Sequence, residues 1–326
     1  MLGYDLGNIL VIKPILLNIE PFNFSENAKK MLQNYFDYRE ATSVSLIKEE
    51  LPGACVLLTR LGYNLNKDFL CNAKNLKYVV TPTTGTNHID EVYLTRIGAN
   101  VVSLKGEIEF LKKVTPTAEH TWGLLLALLR DYKYAFQDVE NYRWRRDDFK
   151  GSQIKGKTIG IVGMGRLGEM VAKYATAFGM EVIFSDICQI KSHHRQVSFL
   201  ELLKNSDVVS IHVPLDNTTR GLFSYEEFSI MKSTAIILNT SRGDIIDDCA
   251  LLDALENKKL SGAGLDVLKF EEGWGLNVPS DHALIGYAKK NSNLIITPHI
   301  GGACPDVMRL AEEFISKKLI DTSCFE

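Results

Sequence analysis

Between Lys157 and Asp186 an apolar run (Thr158–Val162) meets three glycines (Gly163, Gly165, Gly168). A stretch with helical apolar spacing and a second apolar run ending in an acid follow. The pattern predicts strand, tight turn, helix and strand, the order in which G-x-G-x-x-G has physical meaning. Gly163 permits the turn, Gly165 lets the backbone approach a pyrophosphate, and Gly168 lets helix and strand pack closely. The helix start offers N–H groups to phosphates. Asp186 stands 18 residues past Gly168, near the spacing of about 20 for an acid that binds an adenosine ribose.

The same rhythm continues. Apolar runs at Asp207–His212, Thr234–Asn239, Gly262–Val267 and Asn293–Thr297 predict further strands. Phe199–Lys204, Glu226–Met231 and Asp248–Asn257 predict helices between them. With Thr158–Val162 and Glu181–Ser185 this makes six strands and a doubly wound domain, whose ligands sit at the strands' carboxyl ends.

Residues 1–110 carry a second α/β pattern with no G-x-G-x-x-G. Strands are predicted at Asn8–Lys13, Cys55–Thr59, Lys77–Thr81 and Asn100–Leu104, and helices at Glu26–Phe36, Asn66–Asn72 and His88–Ile97. Apolar strands spaced by helices imply a parallel sheet covered on both faces. Thr115-Pro116 supplies an N-cap and a first-turn proline for one long helix from about Thr117 towards Asn141. Ala303–Lys318 predicts a last amphipathic helix that packs back on the first domain, giving that domain a discontinuous sequence.

Length changes the picture only by supporting two domains, because 326 residues exceed the single-core limit of about 250–300. A net charge of −3 with 45% hydrophobic residues gives no basic excess for nucleic acid. Arg143–Arg146 is answered by Asp147 and Asp148 and reads as a solvated loop. The six cysteines show neither CxxC nor a metal-like spacing with histidine, so reduced thiols and no metal are expected. No signal peptide or membrane span is read, and the expected location is cytoplasmic.

The strand ends hold the candidate chemistry. Asn239-Thr240-Ser241-Arg242 places a planar guanidinium, suited to a carboxylate, after the fourth strand. Asp266 and then Glu271 follow the fifth, and Thr297-Pro298-His299-Ile300-Gly301-Gly302 follows the sixth. Hydride transfer from a 2-hydroxy acid needs a base for the hydroxyl proton and a cation for the carboxylate. Histidine suits the first task, and a carboxylate on its other nitrogen fixes the tautomer. Asp186 accepts a ribose hydroxyl and repels a 2′-phosphate, favouring NAD over NADP.

These motifs, with Thr84-Gly85-Thr86-Asn87-His88-Ile89-Asp90, Thr117-Ala118-Glu119-His120-Thr121 and His212-Val213-Pro214-Leu215, resemble the D-isomer-specific 2-hydroxyacid dehydrogenase family from Thr59 to Gly302. The resemblance is to its phosphoglycerate dehydrogenase-like branch, without a regulatory domain. It implies an α/β fold of two domains. A Rossmann-type doubly wound parallel sheet, residues 115–302, is inserted in a smaller flavodoxin-like substrate domain, residues 1–114 plus 303–326.

It further implies Arg242 as carboxylate anchor, His299 as acid/base and Glu271 as its partner. Asp266 would hold the nicotinamide carboxamide. Thr240, Ser241 and the His212-Val213-Pro214 turn would line the NAD, with Arg166 and Leu167 at the pyrophosphate. Thr84, Gly85 and Thr86 would cradle the substrate, and Thr59 or Arg60 would face it. His120 reads as structural within its helix.

The family's proline after the catalytic glutamate is replaced by Glu272-Gly273-Trp274, and Glu271 is favoured over Glu272 by its offset from Asp266. The segment 272–293 looks long and is either an active-site rim or a surface insertion. A small 2-hydroxy or 2-keto acid and a homodimer are the implied partners, with 3-phosphoglycerate, hydroxypyruvate and glyoxylate as candidate substrates. A dinucleotide-sensing protein of the same fold and an alanine dehydrogenase relative are the alternatives.

Overall fold

The structure, a computed structural model, describes residues 13–271, 274 and 277–322. They fall into two compact units, one within Met1–Gly106 and Met308–Glu326, the other Glu107–Val307.

The small unit is built on five parallel strands, β1 (Ile15–Asn18), β2 (Asp37–Glu40), β3 (Val56–Leu58), β4 (Tyr78–Val80) and β5 (Asn100–Val102). Their order is β2-β1-β3-β4-β5, the flavodoxin-like arrangement. Of the predicted first strand, residues 8–12 lie outside the described residues. The strand observed here comes after Pro14 and buries Leu16 and Leu17 between two parallel neighbours. The edge strand β2, Asp-Tyr-Arg-Glu, has no apolar run and was not predicted. The Pro305–Thr322 helix ties into this unit through Glu312, which accepts from the Ser25 N–H at 2.8 Å, and Lys318, which donates to the Ser103 carbonyl at 2.9 Å.

The large unit holds seven strands, all parallel: β6 (Thr158–Val162), β7 (Glu181–Ser185), β8 (Arg195–Gln196), β9 (Val208–Ile211), β10 (Ile236–Asn239), β11 (Gly262–Leu265) and β12 (Leu294–Ile296). The order β12-β11-β10-β9-β6-β7-β8 reverses between β6 and β9, the topological switch point of a Rossmann sheet. Alternate side chains serve opposite cores. Ile236 and Leu238 pack with Ile159, Ile161, Val171 and Leu125, whereas Ile237 packs with Val209, Ile211, Phe223 and Leu251. Two covered faces explain why these strands read as unbroken apolar runs. The two-residue β8 is the strand that pattern alone missed.

The long helix expected from Thr117 to Asn141 is two helices, Pro116–Leu129 and Tyr132–Glu140. Asp131 breaks it with a left-handed φ of 47°, a conformation aspartate tolerates better than most residues. Among the described residues no helix is long and apolar enough to cross a membrane. No group of three or more His, Cys, Asp or Glu among them is placed to hold a metal ion.

Candidate active site

At the end of β6 Gly163 has φ +91°, and an added Cβ would come within 2.9 Å of the His212 carbonyl oxygen. A Cβ on Gly168 would fall 2.3 Å from the Gly163 carbonyl oxygen, so the Arg166–Ala177 helix sits against the turn only because that residue is glycine. Among the described residues, a Cβ on Gly165 would meet nothing within 4 Å and no side chain caps the helix N-terminus. Open space over bare N–H groups suits a diphosphate. Asp186, after β7, holds the same turn: Oδ2 accepts from the Met164 N–H at 2.9 Å and Oδ1 from the Cys188 N–H at 3.0 Å.

The Arg166 side chain is engaged within its own unit. Its guanidinium donates to the carbonyls of Leu111 at 3.1 Å and Val114 at 2.5 Å, and burial lowers its pKa. What it offers the turn is its backbone at the first helical position, next to Leu167.

The next strand ends crowd onto the same switch point. The His212 N–H donates to the Val162 carbonyl at 2.8 Å, joining the end of β9 to β6. Its Nε2 lies 2.8 Å from the Ser210 hydroxyl, and burial pushes its pKa down to about 4. The Ser241 hydroxyl donates to the Val213 carbonyl, joining the His212–Pro214 turn to the end of β10. Thr240 shares a hydrogen bond with Thr121 at 2.7 Å. The Asn239 amide donates to the Arg242 carbonyl at 2.8 Å, and Arg242 Nη1 donates to the Ser241 carbonyl at 2.7 Å.

Asp266, 1% exposed at the end of β11, organises the histidine turn. Its carbonyl accepts the His299 N–H at 2.8 Å. Its carboxylate accepts the N–H groups of Ile300 at 2.9 Å and Gly301 at 2.7 Å, and the Thr297 hydroxyl at 2.6 Å. His120 Nε2 lies 3.2 Å from the same carboxylate. Burial opposes ionisation of Asp266, yet the hydrogen bonds from His120, Thr297, Gly301 and Ile300 outweigh it and hold the carboxyl below its ordinary range. His299 has a left-handed φ of 54°, a costly conformation that persists only where its surroundings impose it. Three successive backbone N–H groups bound to one buried residue are that imposition.

The ring is fixed separately. His299 Nδ1 lies 2.6 Å from Glu271 Oε1, while Glu271 Oε2 accepts the Leu268 N–H at 3.0 Å. Glu272 lies outside the described residues. The pair is largely but not fully shielded, with side-chain exposures of 31% for His299 and 16% for Glu271.

In the small unit, the two residues expected to face substrate are bound to the chain after β1. The Thr59 hydroxyl donates to the Glu20 carboxylate at 2.7 Å, and the Arg60 N–H donates to that carboxylate as well. The Arg60 guanidinium donates to the carbonyls of Glu20 at 2.7 Å and Phe22 at 2.5 Å and lies 3.6 Å from Glu312. Both therefore brace the chain after β1. Thr84, Gly85 and Thr86 form the loop after β4. The Thr83 hydroxyl pins it by donating to the Gly85 carbonyl at 2.8 Å, and the Thr86 hydroxyl by donating to Glu91 at 2.5 Å.

Residues 122–301, more than half of the chain, match the family model described as D-isomer specific 2-hydroxyacid dehydrogenase, NAD binding domain. The chain belongs to that family. It is 32% identical over 302 residues to the D-3-phosphoglycerate dehydrogenase of Methanocaldococcus jannaschii, covering 90% of this chain and 55% of the relative. It therefore spans about half the length of that relative. It is 31% identical over 312 residues to the glyoxylate reductase of Thermococcus litoralis, covering 90% of each. A solved D-lactate dehydrogenase of Aquifex aeolicus, complexed with NAD and lactic acid, superposes with a TM-score of 0.81 at 29% identity over 94% of each chain.

Family membership makes the large unit an NAD-binding domain of a dehydrogenase family. The matched segment contains the glycine turn, Asp186, Arg242, Asp266, Glu271 and His299. Sequence reasoning placed these at strand ends but missed what joins them. Thr297 read only as the end of a strand, and the contact of His120 with Asp266 spans residues far apart in the chain. The one available signal was the run of polar residues Thr117, Glu119, His120 and Thr121 at the start of a helix that is apolar further on.

Proposed function

We propose that this chain interconverts a D-2-hydroxy acid and its 2-keto acid with NAD. The observation that carries the reading is the Glu271–His299 pair, 2.6 Å apart, on a turn clamped by Asp266 at the carboxyl end of an NAD-binding sheet. NAD, when bound, takes or gives the hydride. The open space over Gly165 and the uncapped helix start fit its diphosphate, with the backbone of Arg166 and Leu167 beside it. Asp186 fits its ribose. His212, Val213, Pro214, Thr240 and Ser241 line the rest of the crevice.

His299 moves the proton. With Nδ1–H donated to Glu271, Nε2 is left to take the proton of a hydroxyl or return it to a carbonyl oxygen. Arg242 anchors the substrate carboxylate through its guanidinium fork. In the small unit the Thr84–Thr86 loop is the part assigned to the acid, and Thr59 and Arg60 brace the chain after β1. Asp266, with its carboxylate engaged by four groups of its own unit, holds the turn as well as bordering the nicotinamide. A homodimer belongs to the proposal. Phe136, Tyr142 and Trp144, 62%, 100% and 86% exposed, are the side chains assigned to its interface.

The test is to mix the protein with NADH and, in turn, glyoxylate, hydroxypyruvate, pyruvate and 3-phosphohydroxypyruvate, following loss of reduced-cofactor absorbance. At least one keto acid oxidises NADH, and His299→Ala abolishes the reaction while NADH binds almost as before. Tight NADH binding with no oxidation by any 2-keto acid would remove the enzyme reading in favour of a dinucleotide sensor.

A further inference from the structure

His120 lies just outside the segment that matches the family model, yet its ring reaches the centre of the site. Nε2 is 2.9 Å from the Thr297 hydroxyl and 3.2 Å from Asp266 Oδ1. A carboxylate oxygen can only accept, so Nε2 carries its proton here. The Thr297 hydroxyl donates to Asp266 at 2.6 Å and so receives from His120. A relay of donors thus runs from His120 through Thr297 to Asp266, and Asp266 in turn holds the N–H groups of Ile300 and Gly301. There is little slack in this arrangement. A Cβ on Gly301 would fall 2.8 Å from Asp266 Oδ2, 3.4 Å from Thr117 and 3.7 Å from the His120 ring. The adjacent residue, Thr121, bonds Thr240 at the end of β10. One turn of the Pro116–Leu129 helix therefore grips the ends of β10 and β12 and the acid that follows β11.

We propose that His120 is a positioning residue for His299, acting through the Thr297–Asp266 relay to hold the strained turn that aims the acid/base. The inference rests on the reading of His299 as acid/base, and it gives a working task to a histidine that the sequence presents as structural. Removing the donor leaves the buried Asp266 carboxylate short of a partner and frees the turn to relax from its left-handed conformation.

The test compares His120→Phe, which keeps the ring's bulk without a donor, with His120→Gln, which keeps an N–H near the Nε2 position. His120→Asn, whose donor is too short to reach, replaces the first variant should it not fold. Amide hydrogen exchange on the unliganded protein is the first readout. Ile300 and Gly301 exchange about tenfold faster in H120F, with the β6 amides unchanged, and return towards wild type in H120Q. The second readout is kinetic. H120F lowers kcat about tenfold with KM for NADH nearly constant, and H120Q recovers to within about threefold of wild type.

Wild-type exchange at Ile300 and Gly301 in H120F would overturn the proposal. So would altered exchange with unchanged kcat, or an H120Q as impaired as H120F. Because exchange needs no substrate, it decides the matter even if the wild-type chain reduces no 2-keto acid.

Discussion

Glu271 Oε1 lies 2.6 Å from His299 Nδ1 across 28 residues of sequence. The glutamate itself is tied back to the Leu268 N–H. It therefore cannot swing away without breaking a second bond, and the imidazole is held in one ring orientation and one tautomer.

Glu271→Gln keeps the shape and removes the charge. It leaves His299 without the carboxylate that stabilises an imidazolium and frees the amide to present its N–H₂ to Nδ1, selecting the opposite tautomer. Steady-state kinetics should show kcat down about a hundredfold, with NADH affinity within about twofold of wild type. A variant retaining most of its rate would place the partner of His299 elsewhere.

The glycine turn separates two effects that a single substitution usually confuses. A Cβ at Gly168 would sit 2.3 Å from the Gly163 carbonyl oxygen, whereas one at Gly165 meets open space. Gly168→Ala should lose about 1–3 kcal/mol of stability in urea unfolding through overpacking. Gly165→Ala should unfold within about 0.5 kcal/mol of wild type, yet bind NADH at least several-fold more weakly in a titration. Equal NADH affinity in Gly165→Ala would mean that the diphosphate does not lie over that residue.

Asp186→Ala should weaken NAD more than NADP, because the acid both accepts a ribose hydroxyl and repels a 2′-phosphate. It should also cost about 1–2 kcal/mol of stability in the absence of cofactor, since the N–H groups of Met164 and Cys188 lose their acceptor. Equal loss of affinity for both cofactors would undo the cofactor argument.

Acid should unfold the protein partly through His212. Burial lowers its pKa to about 4 from the ordinary 6.5, so below pH 6.5 the unfolded chain takes up a proton that the fold refuses. Stability from this group is present above about pH 6.5, falls as pH drops towards 4, and is level below that. The side chain is part-exposed, so the loss between pH 7.5 and 5 is discounted to on the order of 1–2 kcal/mol. In urea unfolding at those two pH values, His212→Asn should lose less stability than wild type by about that amount. An identical pH dependence in both would show that the fold does not lower the pKa of His212.

The parts of the fold that were legible in the sequence share one property. β6, β7, β9, β10 and β11 are covered on both faces, so burial writes them as apolar runs. The edge strand Asp37–Glu40 is half exposed and the two-residue β8 has no room for a pattern. The break at Asp131 carries neither proline nor glycine, because aspartate itself adopts the left-handed turn. In the site, Arg242, Asp266, Glu271 and His299 were legible as strand-end residues. The grip of Asp266 was not, since most of its partners are backbone amides that any sequence supplies. The engagement of Thr59 and Arg60 by Glu20 was hidden for a related reason: it depends on which neighbouring strand end comes within reach.

The closing helix has a consequence for how the chain is made. Ser25 and Ser103 bond to Glu312 and Lys318, whereas residues 107–307 contain the whole seven-stranded sheet. On a ribosome that emits the chain from its amino end, the Rossmann unit has all its strands before Glu312 and Lys318 exist. The contacts that Glu312 and Lys318 make in the small unit can form only after residues 107–307 have been synthesised.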